Sequence, residues 1–399
     1  MTEFTAIVGA EYVAEDSGIF IVAPASTEEV ASIMRLCTQR KLAVSPRGGG
    51  TKLDWGSPIK PQVILDTRRL VGVREHSWQD LTATVGAGTV WADMRHALAQ
   101  HGQRVALDPL FRSTATIGGV IAVNDSGALR MRYGSLRDLV IGMTIVLADG
   151  TIARSGGKVV KNVAGYDLPK LLTGSFGTLG IITEVTFRLH PVQADSATWT
   201  IASDDPDALV TIRAQICAAA MSVESLQIRT TEIGFALDVR FASLPEVLQE
   251  HEARLHRLCS PLTAHASANE VWRERERLFY IGRATILKIT ALPSKLSAIL
   301  QSFNSLAQDV TATYVADATG IITVALTAPP AHTAAIVDDL RARLRADGGM
   351  VVVLRAGSGM PEDIDRWGVL PPALAVMRAV KQQFDPERLL NLGKFVGGI

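Results

Sequence analysis

Cysteine is scarce: the 399 residues include only Cys37, Cys217 and Cys259. These three are too scattered for a disulfide framework, a zinc site or an iron–sulfur cluster. We therefore expect no metal centre, and any redox chemistry would need an organic cofactor.

Net charge is also absent, because 40 Lys and Arg residues balance 40 Asp and Glu residues. No bulk charge attracts nucleic acid or an anionic membrane, so we expect no nucleic-acid partner.

Long apolar segments are absent as well. The longest nearly apolar run, residues 140–148, is far short of the roughly 18 residues that cross a bilayer. Residues 1–10 include Glu3 and have neither a basic n-region nor an apolar h-region, so we expect no secretory signal. These absences predict a cytoplasmic protein.

Two common nucleotide-binding motifs are missing. Gly48–Gly50 follows a predicted strand but lacks the Gly-x-Gly-x-x-Gly spacing of a dinucleotide fold. Gly157-Lys158 is followed by Val159, and no glycine stands five positions before Gly157, so there is no Walker A loop. The sequence therefore predicts neither an NAD-type Rossmann domain nor a P-loop NTPase.

Glycine is present in three clusters within the first 190 residues. One is Gly48–Gly50, one lies within residues 113–127, and one steps by three from Gly174 to Gly180, before a strand predicted over 180–189. Such glycines let the main chain pass close to a ligand with amides free to donate hydrogen bonds. Taken alone, the third cluster also suits a tight helix-to-strand turn. Together, the three indicate a long phosphate-bearing cofactor that lies across several loops.

The length predicts more than one domain. The first domain would contain an α/β subdomain and a strand-rich subdomain, and the next an antiparallel sheet with helices on one face. In the α/β part, Ser26 is a predicted helix N-cap with Glu29 in the capping-box position, and a strand over 42–45 runs into Gly48–Gly50. The predicted ranges are 1–75 and 76–192 for the two subdomains, 193–360 for the α+β domain, and 361–399 for a segment returning to the first domain.

Several motifs resemble those of one flavoprotein family. They are Pro46–Thr51, Ile117–Gly119, Asn124 with Ser126-Gly127, Arg132–Gly134, Arg137-Asp138, Lys161–Leu168, Gly177–Thr183 and Phe384–Lys394. They resemble the FAD domain of the vanillyl-alcohol oxidase and p-cresol methylhydroxylase (PCMH) family, with the FAD-binding E-type subunits of glycolate oxidases as the most similar group. The resemblance implies an α+β fold with a two-subdomain PCMH-type FAD domain and an α+β cap domain.

The resemblance also implies which residues hold FAD. Residues 46–51 and 113–119 would take the pyrophosphate, Asn124 to Gly127 would lie near the ribityl chain and flavin, and residues 174–182 would lie along the adenosine. Members with covalent FAD often place a histidine where Thr51 stands, so non-covalent FAD is implied. The implied cofactor-binding residues are Pro46, Arg47, Gly48, Gly49, Gly50, Thr51, Pro109, Ser113, Thr116, Ile117, Gly118, Gly119, Asn124, Ser126, Gly127, Gly174, Gly177, Gly180 and Ile182.

No catalytic base is identified. The eight histidines include none in the His-x-Gly-Asp-Gly-Asn motif of related 2-hydroxy-acid dehydrogenases. Lys288 and Arg355, each within an apolar strand, are candidates for a substrate carboxylate, although a structural carboxylate is the favoured partner of a buried cation. The residues that could line the flavin edge are Tyr133, Lys161 and Tyr166.

The resemblance implies an FAD-binding subunit of a glycolate oxidase-type complex that oxidises glycolate or another small 2-hydroxy acid to the 2-oxo acid. Its partners would be a catalytic flavoprotein subunit and an iron–sulfur subunit, and any contact with the inner membrane would be made through them. Two alternatives stay open: a stand-alone FAD-dependent alcohol or 2-hydroxy-acid dehydrogenase, and an assembly subunit that FAD stabilises without catalysis.

Overall fold

A computed structural model describes residues 1–157, 167–219, 221–361 and 364–399. The described chain forms two compact units. One comprises residues 1–126, 133–192 and 370–399, and the other comprises residues 127–132 and 193–369. The domain boundaries drawn from the sequence remain predictions.

Three sheets build the first unit. The strands of its four-stranded sheet are, in spatial order, Val13–Asp16, Ile19–Val22, Val63–Asp66 and Val44–Arg47, and all pairs except the first are parallel. The strands of its antiparallel five-stranded sheet are, in spatial order, Val73–Ser77, Thr82–Gly86, Ile181–Arg188, Val140–Val146 and Ile152–Gly156. A two-stranded ladder joins Gln103–Arg104 to His190–Pro191.

The helices outside residues 193–369 are Thr2–Val8, Thr27–Arg40, Trp91–Ala99, Ile117–Ala122, Arg130–Tyr133, Leu136–Leu139, Leu168–Leu172 and Leu374–Phe384. Local sequence explains the longest of them: Ser26 Oγ accepts a hydrogen bond from the amide of Glu29, and Val30, Ile33, Met34 and Cys37 form its buried stripe. The Glu29 carboxylate accepts from the amide of Ala25, one residue before the N-cap that the capping-box prediction named.

The strand before the first glycine run begins two residues later than predicted, at Val44. It lies at the edge of its sheet, where Pro46 removes no ladder hydrogen bond that a central strand would need. The helix Thr2–Val8 and the strand Val13–Asp16 were not predicted. Both are short, and the strand is mostly exposed, so neither shows a clear hydrophobic period.

The second unit is built on one antiparallel eight-stranded sheet. In spatial order its strands are Ala264–Ser267, Asp195–Ser203, Gly234–Ser243, Val223–Thr231, Thr311–Asp317, Ile321–Thr327, Thr285–Thr290 and Met350–Arg355. Its helices are Pro206–Ala218, Pro245–Cys259, Glu274–Arg277, Leu296–Asn304 and Pro330–Arg345. Trp199, Leu226, Phe241 and Leu300 belong to the single core cluster of this unit.

All three cysteines are free thiols. Across the residues that the model describes, we find no group of three or more His, Cys, Asp or Glu side chains that could hold a metal ion. Every helix in the described ranges is too short or too polar to traverse a bilayer.

Candidate functional site

The first glycine loop lies directly against the second glycine-containing segment. A Cβ atom built on Gly49 would lie 1.9 Å from the main-chain oxygen of Thr114, and one built on Gly48 would lie 2.0 Å from Thr116 Oγ1. Real Cβ contacts are never that short, so only glycine allows this approach. A cavity of about 380 Å³ opens beside the contact and is lined in part by Gly49, Thr114 and Thr116.

The strand and the loop behind it are fixed by an ion-pair cluster. Asp66 is almost fully buried, and its carboxylate accepts hydrogen bonds from Arg47 Nη2 at 3.0 Å and Arg68 Nη2 at 2.7 Å. Burial raises the pKa of the Asp66 carboxyl, but the hydrogen bonds from Arg68 and Arg47 together outweigh it and hold the pKa below its usual range. Arg47 is thus engaged with Asp66, whereas no described residue accepts a hydrogen bond from the amides of Gly49 and Gly50. Such amides suit an anion.

The second segment is a short helix where a loop was predicted up to Gly119. The helix spans Ile117–Ala122 because Ile117, Val120 and Ile121 bury one apolar face. Gly118 donates its amide to the main-chain oxygen of Ala87 at 2.8 Å, and a Cβ atom on it would lie 3.1 Å from Ala87 Cβ. This glycine therefore serves packing between a helix and a neighbouring loop.

The third glycine cluster forms a turn against the end of that helix. The amides of Gly174 and Phe176 donate to the main-chain oxygens of Ile121 and Ala122, at 3.0 and 2.8 Å. Gly174, Phe176 and Gly177 all have positive φ, which explains two of the glycines. A Cβ atom on Gly177 would lie 3.0 Å from Pro46 Cγ. All three glycine clusters therefore meet in one place, which we call the junction.

The C-terminal segment holds the same turn from the other side. Asn391 Nδ2 donates to the main-chain oxygen of Phe176 at 2.7 Å, and the Phe395 ring stacks on the Phe176 ring at 5.5 Å. The Lys381 ammonium donates to the main-chain oxygen of Thr178 at 2.7 Å and to the Asp385 carboxylate at 2.6 Å. Burial lowers the pKa of Lys381, while the Asp385 carboxylate opposes that shift.

Four buried polar atoms at this junction have no hydrogen-bond partner among the described residues. They are Thr116 Oγ1, Asn124 Oδ1, Ser175 Oγ and Asn391 Oδ1. Leaving such an atom unpaired costs about 1–3 kcal/mol. A polar ligand that reaches them would remove that cost. The free glycine amides and these oxygen atoms together fit a phosphate- and hydroxyl-bearing cofactor.

One connection in the site was not predicted. Lys52 Nζ lies 3.2 Å from Asp125 Oδ2, and both side chains are almost fully buried. The sequence carried a signal for it, since Lys52 directly follows the first glycine run and its threonine, and Asp125 lies between Asn124 and Ser126.

The remaining predicted cofactor residues differ in burial and in the unit to which they belong. Pro109, Ser126 and Gly180 are buried, and Ser113 and Gly119 are exposed. Gly127 falls in the 127–132 stretch of the second unit. The Ile182 side chain packs in the core of the first unit, and its main chain pairs with Ile145 in the neighbouring strand.

Two of the predicted substrate contacts, Lys288 and Arg355, lie on adjacent strands of the second unit, where Arg355 pairs with Ile286. Arg355 Nη1 donates to the main-chain oxygen of Phe279 at 2.7 Å, so its partner is a carbonyl where the sequence favoured a carboxylate. Lys288 is half-buried and stands opposite Thr323 and Val352 on the adjacent strands. Lys161 and Tyr166 lie outside the described residues.

Tyr133 contacts two basic side chains of the first unit. Its hydroxyl accepts a hydrogen bond from Arg104 Nη2 at 3.0 Å, and its ring meets the His190 ring edge to face at 4.8 Å. Burial, together with the charges of Arg188 and Arg104, lowers the pKa of the His190 imidazole.

Comparison with known proteins agrees with this geometry. Residues 19–156 match the family model of an FAD binding domain, and residues 368–395 match that of the C-terminal domain of FAD linked oxidases. The chain is 37% identical over 208 residues to glycolate oxidase subunit GlcD of Bacillus subtilis, covering 52% of this chain and 44% of the relative. It is 35% identical over 219 residues to a D-lactate dehydrogenase of Archaeoglobus fulgidus, covering 54% of this chain and 48% of the relative.

The chain thus spans about half the length of the curated relatives it matches. Among solved structures, substrate-bound p-cresol methylhydroxylase is similar with a TM-score of 0.77 at 16% identity, covering 98% of this chain and 95% of that one. The comparisons confirm the predicted α+β fold with a PCMH-type FAD domain, and they confirm FAD as the cofactor. The chain therefore contains an FAD binding domain within residues 19–156 and a match to the C-terminal domain of FAD linked oxidases at residues 368–395, and it has the fold of the PCMH-type flavoproteins.

Proposed function

We propose that the chain is the FAD-binding subunit of a glycolate oxidase- or dehydrogenase-type complex, in which a small 2-hydroxy acid is oxidised to the 2-oxo acid. The observation that carries the proposal is the convergence of the three glycine clusters on one junction that has free amides and unpaired oxygen atoms. The relatives named glycolate oxidase subunit and D-lactate dehydrogenase support the substrate class. Bound FAD would supply the acceptor for the two electrons that leave the 2-hydroxy acid.

The residues of the junction would bind and orient that cofactor. The amides of Gly49 and Gly50 would donate to the pyrophosphate, and the Arg47–Asp66 ion pair would keep their loop in place. Asn124 Oδ1 and Asn391 Oδ1 would accept hydrogen bonds from cofactor hydroxyls. Thr51 cannot form the histidyl bond of covalent members, which favours non-covalent FAD.

Partner subunits are part of the proposal because no base is identified among the residues that the structure describes. The hydroxyl of Tyr133 is engaged with Arg104, and the guanidinium of Arg355 is engaged with the Phe279 carbonyl. The sequence contains no His-x-Gly-Asp-Gly-Asn motif. A catalytic flavoprotein subunit would therefore abstract the proton, and an iron–sulfur subunit would carry electrons onward. A cytoplasmic location, with the inner membrane reached only through these partners, belongs to the same proposal.

An anaerobic experiment on the FAD-loaded chain tests the proposal. We expect dithionite to bleach the flavin absorbance at 450 nm while glycolate and D-lactate leave it unchanged, since in this proposal the partner subunit supplies the base. Adding the two partner subunits should then allow glycolate or D-lactate to reduce the flavin. Rapid bleaching by either acid without partners would instead establish a stand-alone dehydrogenase. Full turnover by the complex with an FAD-free chain would establish an assembly subunit.

A further inference from the structure

We propose that Lys52 and Asp125 act as a buried latch that holds the first glycine loop and the residue 108–127 segment in the geometry that binds FAD. Both would be positioning residues that act on the cofactor through the main chain on either side of them. The inference rests on the proposed FAD site.

Each member of the latch is held by more than its partner. Lys52 Nζ lies 3.2 Å from Asp125 Oδ2 and donates to the main-chain oxygen of Leu110 at 3.4 Å. Asp125 Oδ2 also accepts from the amide of Leu110 at 2.8 Å. The ammonium lies 5.8 Å from the Trp55 ring centroid and 5.6 Å from that of Phe111. With side-chain exposures of 5% and 1%, the two charges are shielded from water and depend on each other.

Each latch residue is a sequence neighbour of residues that we propose bind FAD. Lys52 follows Gly48–Gly50 and Thr51, and Asp125 stands between Asn124 and Ser126. Asn124 has φ +51°, in the left-handed region that asparagine enters more readily than most other non-glycine residues. Its side-chain oxygen is one of the unpaired atoms of the junction. A shift at Asp125 would therefore move the Asn124 oxygen, and a shift at Lys52 would move the glycine amides.

The chemistry of the pair supports positioning over simple stabilisation. Buried ion pairs can be replaced by well-packed apolar residues without loss of stability, so stability alone gives no reason for this pair. An ion pair with two further main-chain hydrogen bonds fixes direction as well as distance, which an apolar contact does not. Directional control is what a site built from main-chain amides requires.

The test is an FAD titration of the apoprotein, followed by flavin fluorescence. We expect Lys52→Met and Asp125→Asn each to weaken FAD binding by about 30-fold, which corresponds to about 2 kcal/mol. The double variant should lose little more than either single variant, because both remove the same contact. Lys52→Arg keeps the cation and should bind FAD more tightly than Lys52→Met.

A matched control comes from the second unit. Arg229 and Asp238 form another buried pair, with Nε and Oδ2 2.8 Å apart and exposures of 15% and 0%. Arg229→Met should lower the unfolding midpoint as the latch variants do but leave the FAD dissociation constant within about twofold, a change of less than about 0.5 kcal/mol.

Wild-type FAD affinity in folded Lys52→Met and Asp125→Asn would overturn the latch and leave the proposed function intact. Failure of the wild-type apoprotein to bind FAD would overturn both. If Lys52→Met, Asp125→Asn and the double variant all fail to fold while Arg229→Met folds, the pair is required for folding itself, and the positioning role is rejected.

Discussion

Gly49 lets two loops of the site approach each other closely because it has no side chain. Its Cα approaches the main chain of Thr114 so closely that a methyl group would overlap the carbonyl oxygen. Because the Thr114 oxygen belongs to the main chain, it cannot move by a side-chain rotation. A larger residue therefore fits at position 49 only if the loop of Gly49 or the loop of Thr114 moves.

We expect Gly49→Ala to lower the free energy of unfolding of the apoprotein by about 1–3 kcal/mol, the usual cost of overpacking. Gly282→Ala is the control, because no described heavy atom lies within 4 Å of its added Cβ. Its effect should stay within about 0.5 kcal/mol. Urea denaturation of both variants measures the difference. Equal midpoints for Gly49→Ala and Gly282→Ala would contradict the contact with Thr114.

Asp66 predicts a pH dependence of stability. Its folded pKa is held below the unfolded value of about 3.9, so its contribution is present above about pH 4 and is lost as the pH falls through the folded pKa. Asp66→Asn should therefore cost about 1.5–3 kcal/mol at pH 7, and the gap from wild type should shrink below pH 4. Urea denaturation from pH 3 to 7 measures the gap, and a gap that is constant with pH would refute the argument. Asp16→Asn, at an exposed strand end, is the control for replacing a carboxylate by an amide, and its cost at pH 7 should stay within about 0.5 kcal/mol.

At the scale of elements, the C-terminal helix and the coil after it act as a clamp on the third glycine turn. Lys381 is the only buried residue of the helix Leu374–Phe384, and its ammonium reaches the main chain of Thr178. Burying a lysine is costly unless every proton is bonded, and here three acceptors surround it: Thr178, Asp385 and Leu390. The helix therefore docks through a polar contact.

Lys381→Met should destabilise the protein by about 3–5 kcal/mol, because it leaves the Asp385 carboxylate buried with its charge partner removed. It should also weaken FAD binding, since the turn at 174–178 loses a support. Lys41→Met removes an exposed pair with Glu387, whose atoms are 3.9 Å apart, and should change neither quantity measurably. Thermal unfolding and FAD titration of both variants test this. A Lys381→Met protein with unchanged FAD affinity would show that the clamp does not reach the cofactor.

Local patterns predicted some elements well and others poorly. The helix Thr27–Arg40 follows from its own N-cap and buried stripe, so the sequence is sufficient there. Gly118 packs on Ala87, a contact that its sequence pattern did not indicate. A glycine looks the same in sequence whether the group that approaches it is a ligand or a neighbouring loop. The Lys52–Asp125 and Lys381–Thr178 contacts join residues 73 and 203 positions apart, which no local pattern could pair.

For the whole molecule, FAD should act as a ligand that stabilises the first unit. At an FAD concentration 100 times the dissociation constant, we expect about 2.7 kcal/mol of added stability. Hydrogen–deuterium exchange should slow in three segments of the first unit: 46–52, 113–126 and 174–182. The control repeats the exchange measurement with AMP in place of FAD. Because AMP lacks the flavin, segments that only FAD protects are those that contact the flavin part of the cofactor. Protection that spares all three segments would contradict the site.

The sequence by itself determined the class of cofactor, because glycine spacing and small hydroxyl residues are local properties that limit what the main chain can approach. It also determined most helices and strands, through periodic burial. Only the tertiary structure decided which glycines face the open junction, which cations are already paired, and that the C-terminal segment closes around Phe176. Those outcomes depend on contacts between residues far apart in the chain, whose distances are set when the cores pack.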